Sequence, residues 1–136
     1  MKTVLFACVH NAGRSQIAAA WFNALSDRKA AQAISAGTQP ANRVHGEVIT
    51  AMKEAGIDLS SARPQLLTEE LARGADVLVT MGCGEACPII PGIEREDWPV
   101  ADPKGQSLEA VRTIRDEIQR RVTAMLAERG ENNPAQ

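Results

Sequence analysis

Three observations predict an α/β fold built on a doubly wound, four-stranded parallel sheet. Short apolar runs alternate with helix-patterned stretches along most of the chain. A first run at Thr3–Ala7, a helix from Ser15 to about Ser26 and a run at Gln32–Gly37 have the order of a βαβ unit with a right-handed crossover. A further run, Ala75–Met81, is apolar almost without a break, as a strand covered on both faces requires.

The elements follow in order. The helix after Ser15 places Ile17, Ala20, Trp21, Ala24 and Leu25 at three-and-four spacing, and Ser15 is its expected N-cap. A second helix is expected over about Val44–Ala55, stopped by Gly56. Pro64 keeps Arg63 out of helical geometry, so 57–64 reads as irregular. Thr68 is the expected N-cap of a short third helix. A fourth strand at Arg95–Val100 is placed at the sheet edge, because Pro99 cannot donate to a ladder. The last helix runs from Ser107 to about Arg129, with Leu108, Val111, Ile114, Ile118, Val122, Met125 and Leu126 as its buried stripe. The chain reads as one domain over 1–130, with 131–136 a disordered polar tail.

Composition narrows the function classes. With 44% hydrophobic and 24% charged residues the chain reads as soluble and globular. A net charge of −2 and only two Trp, two Phe and no Tyr argue against nucleic acid or an anionic membrane as partner. The first apolar run is too short for a signal peptide and leads into polar His10-Asn11, so a cytoplasmic location is expected. Three cysteines in a reducing compartment direct attention to redox chemistry, and their spacing fits no four-ligand zinc site.

The chemistry centres on Cys8-Val9-His10-Asn11-Ala12-Gly13-Arg14-Ser15, between the first strand and the first helix. Such a turn aims backbone N–H groups and the positive end of a helix dipole at one point, which suits a tetrahedral oxyanion. Arg14 adds a fork of parallel donors, and Ser15 can offer its hydroxyl to the Cys8 sulfur. His10 is expected to contribute its backbone N–H with its ring toward solvent, Gly13 to let backbone approach the anion, and His45 to be a helix-surface residue. The result is an anion cradle with a thiol nucleophile at its floor.

Cys-x5-Arg-Ser on a strand-to-helix turn resembles the phosphate loop of the low-molecular-weight protein tyrosine phosphatases. The longer stretch from Cys8 to Gln16 is more similar to the arsenate reductases built on that fold. Asp102-Pro103 is similar to the family's acid loop, and Asn11 to the asparagine that braces the cradle. The tyrosines that follow the acidic Asp-Pro in tyrosine phosphatases are replaced by Lys104-Gly105, which favours a small inorganic substrate. Ala19 falls where some members carry a glutamate for potassium, so no metal site is expected.

Cys83 and Cys87 discriminate between these activities. Residues four apart share a helical face, although a regular helix fits a direct bridge poorly, and Gly82 and Gly84 would let the segment rearrange. A phosphatase needs no such pair, whereas a reductase must draw two electrons from thiols. The segment Met81–Pro88 resembles the redox segment of the reductases. That resemblance implies attack of Cys8 on arsenate, protonation of the leaving oxygen by Asp102, and a disulfide relay from Cys8 through Cys83 to Cys87. It further implies no bound cofactor, phosphate or sulfate as substrate analogues, and an external thiol reductant, with thioredoxin first and glutaredoxin or mycothiol as alternatives. Two other readings stand beside it: a phosphatase using Cys8, Arg14 and Asp102, and a non-catalytic module binding arsenite or a soft metal through Cys83 and Cys87.

Overall fold

The computed structural model describes residues 1–83 and 87–132. Its elements are β1 (Lys2–Cys8), α1 (Arg14–Leu25), β2 (Ala31–Gly37), α2 (Gly46–Glu54), α3 (Glu69–Arg73), β3 (Val77–Thr80), β4 (Glu94–Asp97) and α4 (Leu108–Arg129). The strands form one sheet in the order β2-β1-β3-β4, with every neighbouring pair parallel. This is the expected doubly wound arrangement. The strand order reverses between β1 and β3, so the carboxyl end of β1 opens into the crevice where such sheets bind ligands.

The alternation of side chains along β1 divides the core. Val4, Phe6 and Cys8 join the apolar cluster made with α1, α2 and α4, while Leu5 and Ala7 join the cluster that holds Ala72, Leu78, Cys83 and Cys87. Phe6 packs edge-on to Phe22 and tilted against Trp98, at centroid separations of 6.0 and 5.4 Å. Six of the seven expected stripe residues of α4 (Val111, Ile114, Ile118, Val122, Met125 and Leu126) are buried, and the seventh, Leu108, is partly buried. A bidentate pair from Arg112 to Glu54 (2.9 and 2.7 Å) ties α4 to α2 and holds the Glu54 carboxyl below the usual carboxylate range.

Several boundaries differ from the sequence expectation for identifiable reasons. Ser15 is not the N-cap of α1: Gly13 occupies that place without a side-chain bond, because the Ser15 hydroxyl is engaged with Cys8 and Asn11. The second helix starts at Gly46 and ends at Glu54, two residues inside the expected start and one inside the expected end. β4 stops at Asp97, so Pro99 lies beyond the ladder. Trp98 turns inward there, donating its backbone N–H to Thr80 (2.8 Å) and burying its ring. Thr68 and Ser107 cap α3 and α4 through their hydroxyls, accepting from Leu71 (3.0 Å) and Ala110 (3.1 Å).

The expected tail begins with two residues that are held in place. Glu131 is buried, its carbonyl accepts from Asp27 (2.8 Å), and Asn132 forms an antiparallel bridge with Ser26. Residues 133–136 lie outside the described part of the chain.

Phe22 is fully buried between α1 and the sheet. Phe22→Ala is expected to cost about 3–5 kcal/mol, read as a fall in the urea midpoint at unchanged slope.

Candidate active site

Residues 9–13 turn the chain from β1 into α1. Asn11 makes that turn, at φ 49°, the one non-glycine residue in the left-handed region among the described residues. Its side chain is fully buried and makes three hydrogen bonds. Nδ2 donates to Ser15 Oγ (2.7 Å), and Oδ1 accepts from the Gln65 backbone (2.9 Å) and from Gln16 Nε2 (3.2 Å). Ser15 Oγ then lies 2.9 Å from Cys8 Sγ. The Ser15 hydroxyl thus bridges Asn11, from which it accepts, and the Cys8 sulfur, with which it shares a hydrogen bond.

The loop carbonyls turn outward. Those of Cys8, Val9, His10, Ala12 and Gly13 accept from Thr38 (3.2 Å), Gln39 (2.8 Å), Ala41 (2.9 Å), His45 (3.0 Å) and Ile17 (3.0 Å). In a trans peptide the following N–H points opposite to the carbonyl, so the N–H groups of Val9, His10, Asn11, Gly13 and Arg14 face the inside of the loop. Gly37, paired with Cys8 across the ladder, makes room for this turn: a Cβ there would lie 2.6 Å from the Val9 carbonyl oxygen and 2.8 Å from the Asn11 nitrogen. The His10 ring lies on the outer side of the loop. Its Nδ1 lies 3.2 Å from the Gln39 carbonyl, which pins the ring on the outer wall.

Arg14 and Asp102 meet over the loop. The buried guanidinium donates to the Val100 carbonyl (3.2 Å) and lies 3.6 Å from the half-exposed Asp102 carboxylate. Asp102 also accepts from the Lys104 backbone (3.0 Å). Pro103 rests on Gly13, where a Cβ would come within 2.5 Å of the proline ring. The glycine therefore admits the Asp102-Pro103 loop, a different close approach from the backbone-to-anion one expected. Gly82 plays a similar part from the other side: at φ 94°, a Cβ there would overlap the Arg14 guanidinium.

Cys83 and Cys87 are joined as a disulfide with Cα atoms 5.6 Å apart, and Cys8 is a free, buried thiol. The Cα separation lies within the normal range for a bridge. Cys83 Sγ sits 4.0 Å from the Ala7 carbonyl, one residue from Cys8, yet the pair packs on the opposite sheet face from the Cys8 side chain. Gly84, expected to give the segment freedom, lies outside the described residues. Among the described residues, no group of three or more His, Cys, Asp or Glu is arranged to hold a metal, and no helix is long and apolar enough to cross a membrane.

His45 is the site neighbour that sequence reasoning missed. It caps α2, is half-buried, and its ring carbon lies 3.6 Å from where a Gly13 Cβ would be. Burial pushes its imidazole below the ordinary histidine value, opposed by Asp102 and aided by His10. The available sequence signal was its place directly before Gly46 at a helix start, which reads equally well as a surface cap.

With this geometry in place, comparison with known proteins is decisive for the family. The profile of the low molecular weight phosphotyrosine protein phosphatases matches residues 3–135. The chain belongs to that family. Within it, the chain is 37% identical over 130 residues to a protein of Synechocystis named glutaredoxin arsenate reductase, covering 93% of this chain and 98% of that one. It is also 37% identical over 135 residues to arsenate reductase 1 of Bacillus cereus, covering 96% and 97%. A solved structure, the Corynebacterium glutamicum thioredoxin-dependent arsenate reductase, superposes with a TM-score of 0.81 at 37% identity over 94% of this chain. The present chain spans 61% of that protein's length.

In this phosphatase-family protein the lowered His45 value sets a pH dependence. The folded chain holds the imidazole neutral while the unfolded chain binds a proton from about pH 6.5 downward. The unfolded state then carries more protons, so stability falls as pH drops from about 6.5 toward the folded-state value. NMR titration of the His45 ring should give a midpoint below about 6.5, and His45→Asn should flatten the fall of the urea midpoint over that range.

Proposed function

We propose that this protein reduces arsenate to arsenite and serves arsenic detoxification in the reducing cytoplasm. The observation that carries this reading is a Cys83–Cys87 disulfide beside a free Cys8 at the floor of an oxyanion-shaped loop. Hydrolysis of a phosphate ester has no use for that pair. The loss of an aromatic wall at Lys104-Gly105 favours the same reading.

The chemistry balances with these residues. Arsenate sits in the ring of loop N–H groups from Val9 to Ser15 and on the parallel donors of Arg14. The Cys8 sulfur attacks arsenic, and a proton passes through the Asp102 carboxyl to the departing oxygen, so water leaves and a thiol-arsenate adduct remains. Cys83 attacks the Cys8 sulfur, and the S–As electron pair leaves with arsenic. Arsenic(V) becomes arsenic(III), and two thiols become a Cys8–Cys83 disulfide. Cys87 then attacks Cys83, which restores Cys8 and gives the bridge present in this structure.

A dithiol protein of the thioredoxin type returns Cys83 and Cys87 to thiols. The relatives named for glutaredoxin and for thioredoxin support a thiol reductant in either form. The weaker reading, phosphatase activity, is favoured by the shared loop and the family match alone.

Fully reduced protein mixed with one equivalent of arsenate, without external thiol, should release one equivalent of arsenite and form a Cys83–Cys87 bridge by mass spectrometry. Unchanged thiols and no arsenite would sink the proposal. Cys83→Ser should release no arsenite while leaving any slow phosphatase activity intact. Asp102→Asn should slow the first step by about 10²–10⁴-fold, read in single turnover.

A further inference from the structure

We propose that Gly82 is a positioning residue through which the redox state of Cys83 and Cys87 sets the oxyanion affinity of Arg14. The proposal rests on the reductase reading for its use, but on the contact itself for its existence. Gly82 holds φ at 94°, and a Cβ at this position would overlap Arg14 Nη1 and lie 3.1 and 3.4 Å from Cζ and Nη2. The guanidinium is thus confined on three sides, by the Gly82 backbone, the Val100 carbonyl (3.2 Å) and the Asp102 carboxylate (3.6 Å). Together these direct its donors at protein acceptors while the disulfide is in place.

Gly82 is one peptide from Cys83, about 3.8 Å between Cα atoms, so a shift of Cys83 is taken up first in the Gly82 backbone dihedrals that seat it against Arg14. In the bridged state Cys83 is packed on the sheet face opposite the Cys8 side chain. An approach of Cys83 toward Cys8 that turns these dihedrals lifts Gly82 from its present seat and opens one wall of the Arg14 enclosure. The bridged protein therefore binds a tetrahedral oxyanion more weakly than the reduced protein. By linkage, the oxyanion must favour the dithiol over the disulfide by the same factor. A spent molecule would then be poor at capturing substrate until its thiols are restored.

Inorganic phosphate is a suitable probe, because it fits the loop and takes no electrons. Calorimetric titration of the wild-type protein should show phosphate binding at least about fivefold weaker in the Cys83–Cys87 form than in the fully reduced form. Gly82→Ala should weaken phosphate binding in both forms and bring the two affinities together. Gly92→Ala is the matched control: Gly92 also has positive φ (83°), but nothing lies within 4 Å of the added carbon. It should keep the wild-type difference.

Equal affinities in the two wild-type forms, or tighter binding by the bridged one, would overturn the proposal. So would a Gly82→Ala protein that retains the wild-type difference. Should Gly82→Ala fail to fold, equilibration of the wild type with a dithiol buffer decides the matter. Phosphate should raise the ratio of thiol to disulfide by the factor seen in the titration, and an unmoved ratio overturns the coupling. Arsenite release is not read in any of these arms, so a failed coupling leaves the reductase proposal standing, and the reverse also holds.

Discussion

Asn11 closes the turn between β1 and α1, and the bonds it makes keep that turn closed. Left-handed backbone at a non-glycine residue costs on the order of 1 kcal/mol or more and persists only where the surroundings over-determine it. Here they do. Ser15, Gln16 and Gln65 occupy the buried amide, linking α1 to the chain that follows α2. Leaving any one of those groups unpaired would cost about 1–3 kcal/mol, so the loop holds one shape without a ligand. The bond from Ser15 to Cys8 and the outward carbonyls both depend on that shape.

On this frame two chemistries are set on opposite sides of one sheet. Cys8 belongs to the face covered by α1 and α4, and the cysteine pair to the face that includes α3. Their meeting ground is the carboxyl edge, where β1 and β3 end and the strand order reverses. Arg14 reaches across this edge to Gly82 in one segment and to Val100 and Asp102 in another, both distant in sequence. An arginine with so many neighbours holds the surrounding loops to a common geometry.

Local pattern made much of this legible. The βαβ unit, the all-parallel sheet and the buried stripe of α4 each arise from periodicity within a short window, and the cysteine loop from a motif with the right strand and helix around it. What the sequence concealed were tertiary contacts. That Gly13 must admit Pro103, and Gly82 the guanidinium of Arg14, depends on residues some 90 and 68 positions away, for which no local rule speaks. Ser15 looked like a cap because caps and sulfur partners draw on the same hydroxyl. β4 was extended too far because Trp98 and Val100 are apolar and buried, yet they turn into the core after the ladder has ended.

The burial of Cys8 has a consequence for what can harm it. Only 2% of its surface is exposed. A thiol so placed is shielded from oxidants that would carry it toward sulfinic and sulfonic acids, since susceptibility follows exposure as well as thiolate character. The turn of residues 9–13 and the bond to Ser15 leave the sulfur little room to meet a large electrophile. The turn that encloses the sulfur is therefore also the guard on it.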